Sequence, residues 1–551
     1  MIKKFTRVGL IMLVLLTMST SLFGCGKNTQ TSKVDTTVQN KQAEEQSTGS
    51  IKEELVIAVG DMTEGDYDAC KGYTMYGTNI FYSTLLKFNK DLETEPDLAS
   101  DYTVSDDGLY YTFTLRTDIK FSDGEQVTAN DVVFTYRTAK ETGASVDLTM
   151  VEEIEAVDDH TVQFKLNRPY SPFVRTVALQ GIVAEHAYGE DYAENPIASG
   201  PFKVKQLDIG QQLIVEPNEY YYGEQGNFAQ ITFLNIDEET ALTYAQSGML
   251  DVVKINPEYA YEEVAGMHLE TYATSDNRGF SLPCIPESTN ASGVVVGNNA
   301  TSDIAVRKAL NIGISRQEII DNALNGIGTP AWVRFENLPW ANEEPGLEDG
   351  QVEEACKILA DAGWIDTDGD GIREKDGVKC EFTITGRTDD LQRYNLAVAL
   401  AQNAEQLGIH IIAEAKDWTT CKEEGRTNPT CIGTGDYNFI DVYNAFSSEY
   451  ADPNLVSLSN PAMYTNETVD EYLQKALEAK TEEEAIQNLK LAQYDGKTGP
   501  NVDFPYIWIV NIDHTYLVRD GLDLGEQMIH PHGHGLPIIQ NMNEWMITGD
   551  K

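Results

Sequence analysis

Residues 105–134 read SDDGLYYTFTLRTDIKFSDGEQVTANDVVF, and the pattern in this stretch predicts more about the fold than any other. The triplet DDG at 106–108 is a turn signal, because glycine accepts the left-handed backbone that tight hairpins need. The segment 110–116 alternates apolar and polar side chains with the period of two that is typical of strands. Asp131 then stands near a helix start, as expected for N-cap chemistry. The stretch therefore predicts hairpin strands followed by a helix.

Patterns elsewhere in the chain extend this interpretation. Residues 55–60 form a short apolar run that ends in glycine and predicts a buried first strand. Residues 161–166 alternate in the same way as 110–116. Further along, helices predicted from Asp303 and at 352–362 and 391–407 alternate with strands predicted at 382–384 and 409–412. Alternating helices and strands indicate an α/β fold.

The N-terminus has the features of a secretory signal peptide. Three basic residues precede an almost unbroken apolar run at 8–18, which is shorter than the roughly 20 residues of a membrane span. Cys25 follows within LFGCG, which resembles a bacterial lipobox, where the thiol is diacylated and the signal is cut just before it. An ordinary signal peptide with a chance cysteine is the alternative. Residues 26–52 are polar and predict a flexible tether.

The composition narrows the classes of protein to consider. The chain has 551 residues, with 88 Asp and Glu against 40 Lys and Arg, which gives a formal charge of −48. This charge argues against nucleic acid as a partner. Hydrophobic residues make up 41% of the chain, which is typical of a globular protein, and the length predicts about three domains. The mean hydropathy of −0.34 excludes a polytopic membrane protein.

The spacing of the cysteines does not indicate a zinc-ribbon site. Apart from Cys25, six cysteines are scattered along the chain without CxxC spacing. Cys421 and Cys431 either bridge a loop, which export permits, or are free buried thiols.

An ordered series of motifs narrows the interpretation further. The stretches are YSTLLKF at 82–88, PDLA at 96–99, SDDG at 105–108, YTFTLR at 111–116, KFSDG at 120–124, VTANDVVF at 127–134, GPFKV at 200–204, NEYY at 218–221, SGMLDV at 247–252, VRKALN at 306–311 and AGWIDTDGDG at 362–371. This series resembles the extracellular solute-binding proteins of peptide and nickel ABC importers, the family that contains the dipeptide- and oligopeptide-binding proteins. The resemblance covers residues 53–545.

The resemblance implies an α/β fold of the type II periplasmic-binding-protein kind, with two hinged lobes that enclose a ligand and an additional third domain packed on lobe I. The implied segments are a signal peptide at 1–24, a lipidated Cys25 and tether at 25–52, lobe I at 53–77, 197–292 and 507–551, the extra domain at 78–196, and lobe II at 293–506. Most of the matching motifs are interpreted as scaffold, since their glycines lie in turns.

The resemblance also implies a partner for each end of a peptide. A zwitterionic peptide that enters a closed cleft loses water around its ammonium and carboxylate, which is unfavourable unless both find partners. In peptide-binding relatives, an Asp shortly before an acidic-residue-Pro step pairs with the amino terminus. In this chain the corresponding segment is FSSEYADP at 446–453, and the residue that matches the Asp is Glu449, whose side chain is one methylene longer than that of Asp. Asp452 is the acidic residue directly before the proline. An unrelated surface carboxylate is the alternative for Glu449.

Dipeptide-binding relatives carry a Gln-Arg-Pro-Tyr-Asn segment whose Arg takes the ligand carboxylate. This chain has QRYN at 392–395, one residue shorter, so Arg393 is the expected carboxylate partner and Arg387 the second candidate. A solvated charge on the first turn of a helix is the alternative for Arg393. Tyr394 beside it, and Tyr76 in the loop after the first strand, are further expected ligand contacts.

Two motifs favour other chemistry. DTDGDG at 366–371 matches the first half of a calcium loop, but Gly377 stands where a bidentate Glu should be, so a polar turn is the preferred interpretation. His530, His532 and His534 lie within five residues, and imidazole suits nickel, zinc and copper. If these rings faced the cleft, they would favour a metal-chelate ligand.

The sequence contains no G-x-S-x-G elbow, P-loop, H-E-x-x-H or dinucleotide fingerprint, so an enzyme or a bound cofactor is not predicted. We expect a monomeric, lipid-anchored, extracytoplasmic receptor that binds short peptides and delivers them to an ABC permease whose ATPase supplies the energy. A nickel-type chelate receptor of the same fold is the first alternative. A surface signalling or chaperone-like peptide binder without a transport role is the second.

Overall fold

The predicted first strand is present at Glu54–Ala58 in a computed structural model that describes residues 54–73, 80–143, 146–532 and 536–548. The strand lies inside a mixed sheet, where Leu55 pairs with Ile231 and Ile57 with Val252, both in parallel. Strands in this position are buried on both faces, which explains the apolar run. In the described residues this first sheet contains, in order, Met267–Tyr272, His514–Arg519, Val252–Ile255, Glu54–Ala58, Gln230–Leu234, Gln212–Pro217 and Phe202–Asp208.

A second sheet is joined to the first by two short crossings of the chain. Its strands in the described ranges are, in order, Thr329–Pro330, Tyr506–Asn511, Asn277–Ser281 and Cys431–Thr434. The chain leaves the first sheet after Tyr272 and returns to it at His514. We call residues 273–276 and 512–513 the crossing segments.

A parallel strand pair, Glu381–Arg387 and His410–Lys416, borders the second sheet through a bridge between Thr385 and Thr430. The first strand contains the predicted segment 382–384, and the second begins at His410, one residue later than the predicted segment 409–412. The helix between them, Leu391–Ala404, continues as a 3-10 turn to Leu407 and stops at Gly408, whose φ of +73° suits glycine. The predicted order of strand, helix and strand is therefore confirmed.

A third sheet contains the predicted hairpin. Its strands in the described residues are, in order, Ala99–Val104, Tyr110–Leu115, Thr161–Leu166 and Val151–Asp158. Gly108 turns the hairpin with a φ of +70°, and its N–H donates to the carbonyl of Ser105 at 2.9 Å. The following helix has Thr128 as its N-cap, and the backbone N–H of Thr128 donates to the Asp131 carboxylate at 2.9 Å. The N-cap is therefore Thr128, and Asp131 is the third residue of the helix, where its carboxylate completes a capping box.

The remaining regular elements surround these sheets. The α-helices in the described residues are Ala129–Thr142, Phe173–Val177, Glu238–Gln246, Ile304–Gly313, Arg316–Leu324, Val352–Asp361, Leu391–Ala404, Trp418–Glu424, Ile440–Phe446, Glu467–Leu477, Glu482–Gln493 and Pro500–Asp503. Short antiparallel pairs are Leu86–Phe88 with Thr94–Pro96, Ser288–Thr289 with Val295–Val296, Glu374–Lys375 with Val378–Lys379, and Leu522–Asp523 with Met546–Ile547.

The apolar side chains form separate cores. Leu55 of the first sheet and Phe113 of the third belong to the same buried cluster, so these two sheets share a core. The second sheet packs against its helices in another cluster, which contains Phe280, Leu310 and Leu396. A further cluster contains Leu92 together with Trp340 and with Trp508 of the second sheet, so the two sides of the molecule also pack on each other away from the crossing segments.

Several predictions can be compared with this architecture. The crossings lie at 273–276 and 512–513, whereas the predicted lobe boundaries are at 292 and 506, and the division into lobes and an extra domain stays a prediction. The signal peptide, Cys25 and the tether lie outside the described residues. Within the described part of the chain, all six cysteines, including Cys421 and Cys431, are free thiols. None of the helices described is both long and apolar enough to cross a bilayer.

Candidate functional site

Two neighbouring cavities of about 670 and 700 Å³ lie beside the second sheet. The smaller cavity is lined by residues 256–258, which follow a strand of the first sheet, and by Arg278 of the second sheet. Arg387, Arg393 and His532 line both cavities, and we call the pair of cavities the cleft. Small-molecule sites usually have about 300–1,000 Å³, so the cleft has room for a short peptide.

Arg393 lies in the first turn of the helix Leu391–Ala404 and is only 5% exposed. Its backbone N–H donates to the side chain of Asp390 at 3.2 Å, and its Nε lies 2.9 Å from the same carboxylate. Its Nη1 donates to the carbonyl of Cys431 at 3.2 Å. Burial, and then the neighbouring Arg278, lower the pKa of Arg393. Arg393 is therefore a buried, ion-paired guanidinium in the cleft wall rather than a solvated charge.

Arg387 ends the strand that precedes this helix. Its Nε and Nη2 donate to the two carboxylate oxygens of Asp389 at 2.8 and 2.6 Å. These bonds lower the pKa of Asp389 to about 2. The guanidinium also lies 4.7 Å from the centre of the Trp418 ring. The structure thus brings both predicted arginines to the cleft, and each already has an aspartate partner.

A buried cluster of charged and imidazole groups surrounds Asp276 at a crossing segment. Arg278 Nη2 donates to Asp276 Oδ2 at 3.0 Å, and His532 Nδ1 lies 2.5 Å from Asp276 Oδ1. His514 Nε2 lies 3.6 Å from Asp276 Oδ2. Burial raises the pKa of Asp276, but Arg278 and His532 lower it more, so that this pKa lies well below its usual value. Burial lowers the pKa of His532, although Asp276 opposes this, and the ring at the cleft is mostly neutral at pH 7.

The predicted histidine group is divided by the fold. His530 is fully buried, and its Nδ1 lies 3.2 Å from Nδ1 of His514. Burial, followed by the neighbouring His514, holds the pKa of His530 well below its ordinary value. His532 lines the cleft, and His534 lies outside the described residues. His530 and His532 therefore have different environments, one in the core and one at the cleft.

The predicted partner of the ligand's amino terminus has a different position. Glu449 is exposed on the 3-10 turn Ser448–Ala451, where it accepts a hydrogen bond from the Tyr443 hydroxyl at 2.8 Å. Asp452 is also exposed and accepts a bond from the backbone of Asn454 at 2.9 Å. In the described residues, neither carboxylate lines the cleft. Their assignment as ligand contacts stays a prediction.

The two predicted tyrosine contacts stay predictions as well. Tyr394 is partly buried, and its backbone packs closely on Gly386 of the preceding strand. Tyr76 lies outside the described residues.

The calcium-like loop forms a polar turn. The carboxylates of Asp366, Asp368, Asp370 and Glu374 lie within 4.8 Å of one another. Asp366 accepts bonds from the backbone N–H of Gly369 at 2.7 Å and of Gly371 at 3.1 Å. Lys379 forms an ion pair with Asp370. These carboxylates are therefore engaged by the turn itself and by a lysine.

A third cavity, of about 370 Å³, lies away from the cleft and contains Asp97. Asp97 is buried, but it accepts bonds from the Thr84 backbone N–H at 2.9 Å and from the Tyr222 hydroxyl. Since its carboxylate is already satisfied, we regard the cleft as the better candidate site.

Several residues of the cleft were not predicted. Arg278, Arg334, Trp418 and Asp436 line it, but none belongs to a motif that marks a site. They come from four separate parts of the chain, which tertiary folding brings together. The only sequence signal for Asp436 is its position directly after a short apolar and glycine-rich run at 431–435.

The sequence matches a family model and known relatives. Residues 93–462 match the model described as bacterial extracellular solute-binding proteins, family 5 middle. Protein XP55 of Streptomyces lividans is 31% identical over 489 residues, which cover 85% of each chain. The oligopeptide-binding protein AppA of Bacillus subtilis is 28% identical over 72% of this chain and 75% of its own.

The fold also matches solved structures. NikZ from Campylobacter jejuni, crystallised in complex with Ni(L-His), superposes with a TM-score of 0.70 at 23% identity, over 90% of this chain and 99% of NikZ. The predicted fold class, the α/β type II periplasmic-binding-protein fold, is confirmed.

Proposed function

This chain belongs to the bacterial extracellular solute-binding proteins of family 5, and we propose that it captures short peptides in the cleft and delivers them to the permease of an ABC importer. Proteins of this family bind substrates rather than transform them. The observation that carries the proposal is a cleft of peptide size whose walls contain arginines and aspartates, although the chain as a whole is strongly acidic. A zwitterionic solute needs both kinds of charge when it loses its water.

Arg393 is our proposed partner for the peptide carboxylate, with Arg387 beside it. Both guanidinium groups line the cleft and can share their remaining N–H groups between an aspartate and a ligand oxygen. The similarity to an oligopeptide-binding protein of Bacillus subtilis supports a peptide over other zwitterions.

A metal-chelate ligand is the second candidate. His532 brings an imidazole to the cleft beside Arg393, and relatives include a nickel-binding periplasmic protein of Escherichia coli that is 29% identical over 61% of this chain. Imidazole is a good ligand for nickel, and an arginine could hold the carboxylate of a chelating molecule. A surface signalling or chaperone-like peptide binder without a transport role is the remaining alternative. It predicts that no genes for an importer permease and ATPase lie next to the gene of this protein.

We also propose that the chain is exported as a monomer and held at the membrane by lipid on Cys25. The anchor is needed because a chain with a charge of −48 is repelled by anionic lipid surfaces. The Cys25→Ser variant should be recovered from the soluble fraction of cells, and its retention with the membranes would contradict lipidation.

Native mass spectrometry of the protein purified from its own cells tests the ligand. A series of adducts with peptide masses is expected. A nickel or haem adduct in place of peptides would overturn the peptide proposal and favour the second candidate.

A further inference from the structure

A buried arginine joins the two sides of the molecule outside the crossing segments. We call residues 277–511, between the crossing segments, the second-sheet side, and the rest of the described chain the first-sheet side. Arg175 lies on the short helix Phe173–Val177 and is 1% exposed. Both end residues of this helix belong to the core that the first and third sheets share. The helix is therefore fixed to the first-sheet side.

The guanidinium of Arg175 donates hydrogen bonds to both sides. Its Nε donates to the Glu482 carboxylate at 2.7 Å, and its Nη1 donates to the Tyr437 carbonyl at 2.8 Å, both on the second-sheet side. Its Nη2 donates to the carbonyl of Leu92 on the first-sheet side at 2.6 Å. Every nitrogen of the buried cation thus has a partner, and two of the three partners lie across the interface.

Aromatic rings from both sides enclose the same guanidinium. Its central carbon lies 4.7 Å from the centre of the Trp340 ring and 5.6 Å from that of Phe439, both on the second-sheet side. The ring of Phe88, on the first-sheet side, has its centre 5.1 Å away. Contacts of this kind are most favourable when the cation is removed from water, as it is here.

Two neighbouring side chains of the first-sheet side make further bonds across this interface. The Thr94 hydroxyl donates to the second carboxylate oxygen of Glu482 at 3.0 Å. The backbone N–H and the hydroxyl of Ser171 donate, at 2.9 and 2.7 Å, to the last two carbonyls of the helix Glu467–Leu477. The first-sheet side thus completes the end of a helix that belongs to the second-sheet side.

We propose that Arg175 is the latch that holds the cleft closed. The inference rests on the proposed function, because it names the residue that stabilises the closed form in which a peptide is held. Since the helix of Arg175 is fixed to the first-sheet side, opening of the cleft would separate the guanidinium from Glu482 and Tyr437 and return it to water. Arg175 is not among the described residues that line the cleft, so it acts as a positioning residue.

The latch predicts how substitution changes binding. A ligand that binds the closed form has an apparent affinity that falls with the fraction of closed molecules. Removal of the latch lowers this fraction before any peptide is bound, so every peptide should lose affinity by the same factor. A residue that contacted the ligand would instead affect peptides of different charge to different extents.

The experiment compares the wild type with Arg175→Lys, Glu482→Gln and the double variant. Lysine keeps the charge but lacks the forked donors that reach three partners. Arg316→Lys is the matched control. Arg316 is also fully buried, and it donates to two backbone carbonyls at 2.7 Å and to Asp349 at 3.0 Å, but all of these partners lie on the second-sheet side. Its replacement should destabilise the fold without favouring the open form.

Affinity and release rate are measured for tripeptides with acidic, neutral and basic side chains, and the radius of gyration is measured without ligand by small-angle X-ray scattering. We expect Arg175→Lys to weaken the affinity for all three by about tenfold through faster release, as for the loss of one charged hydrogen bond, and to increase the radius of gyration. Glu482→Gln should act in the same direction. The double variant should lose less than the product of the two single losses, because both remove the same interaction. Arg316→Lys should keep the wild-type affinity and radius.

The latch and the proposed function fail in different ways. If the wild type binds none of the peptides, the proposed function is overturned, and the ligand-free scattering of Arg175→Lys alone decides on the latch. If folded Arg175→Lys has the affinity, release rate and radius of gyration of the wild type, the latch is overturned. Losses that differ among the three peptides would also overturn it, since Arg175 would then act on the ligand. If Arg175→Lys does not fold, the same measurements on Glu482→Gln give the decision.

Discussion

Arg393 and Asp436 line the same cavity but differ in what they already contact. Arg393 is buried against its own helix cap, Asp390, while Asp436 has no partner among the described residues. A paired arginine offers a ligand only its remaining N–H groups, and an unpaired carboxylate offers all of its lone pairs. We therefore expect the two residues to respond differently to substitution.

Replacing Arg393 by Ala should lower the affinity for free-acid peptides by about tenfold or more, because a desolvated carboxylate loses its charged donor. Peptides with an amidated C-terminus should be affected little. Isothermal titration calorimetry with matched pairs of peptides measures the difference. Lys422→Ala is the control, since Lys422 lines the same cavity but is exposed. Equal losses for both kinds of peptide would mean that Arg393 supports the fold instead of binding the carboxylate.

At the scale of elements, the cleft depends on the contact between a strand and the helix that follows it. A Cβ on Gly386 would lie 2.4 Å from the Cα of Tyr394, so the strand Glu381–Arg387 touches the helix backbone directly. This close approach places Arg387 and Arg393 on the same wall of the cleft.

Gly386→Ala should push the helix away and destabilise the protein by about 1–3 kcal/mol, as overpacking does in other proteins. Gly189→Ala is the matched control, because nothing lies within 4 Å of its added Cβ, and it should change the stability by less than about 0.5 kcal/mol. Chemical denaturation measures both values. If the two variants were equally stable, the helix would be free to adjust, and this contact would not fix the cleft wall.

The crossing segments should make stability depend on pH. Burial lowers the pKa of His514, His530 and His532, so the unfolded chain binds more protons than the folded one below about pH 6.5. The contribution of these histidines to stability should therefore be complete above pH 6.5 and fall as the pH decreases, by up to about 1.4 kcal/mol per pH unit for each histidine. Asp436 and Asp513, whose pKa values are raised to about 7 and about 6, give a slope of the opposite sign over the same range. Asp276, whose pKa is lowered, keeps its contribution until about pH 4.

Denaturation at pH 7.5, 6.5 and 5.5 measures this slope, and His530→Gln should make it shallower. His268→Gln is the control, because His268 is exposed at the edge of the first sheet. A slope that is unchanged by His530→Gln would show that the buried imidazoles do not cause it.

At the scale of the whole molecule, the first and second sheets belong to different buried clusters and are joined by two short crossings, an arrangement from which we expect hinge motion. Hinge closure of this kind is a two-state change, and a ligand shifts it only if the ligand binds the closed form better. The smaller cavity is lined by residues 256–258 and by Arg278 of the second sheet, so a peptide bound there would contact both sides.

Saturating peptide should therefore reduce the radius of gyration measured by small-angle X-ray scattering. At a ligand concentration 100 times the Kd, it should also stabilise the fold by about 2.7 kcal/mol, which thermal unfolding detects. The same measurements without peptide serve as the control. Identical scattering curves across all peptides, with no change in thermal stability, would contradict capture by closure.

Local patterns were sufficient to predict much of the fold. The hairpin at Gly108, the buried strand Glu54–Ala58 and the helix that stops at Gly408 were all predicted correctly, because turns, periodicity and caps depend on neighbouring residues. The motif series predicted the family and the type II fold for the same reason, since its members are scaffold turns and strands. Arg393 was expected to contact the ligand because QRYN at 392–395 resembles a segment of dipeptide-binding relatives, and Arg387 was the second candidate.

Only the tertiary structure decided which charges share the cleft and which of them are paired. Asp436 comes together with Arg334 and Arg393 across long sequence separations, and nothing in its own segment indicates that its carboxylate is unpaired. The same holds for Asp276, His514 and His532, which meet because the chain crosses twice between the sheets. Sequence patterns determine local conformation, whereas burial and ion pairing depend on distances between side chains from remote segments, which exist only in the folded molecule.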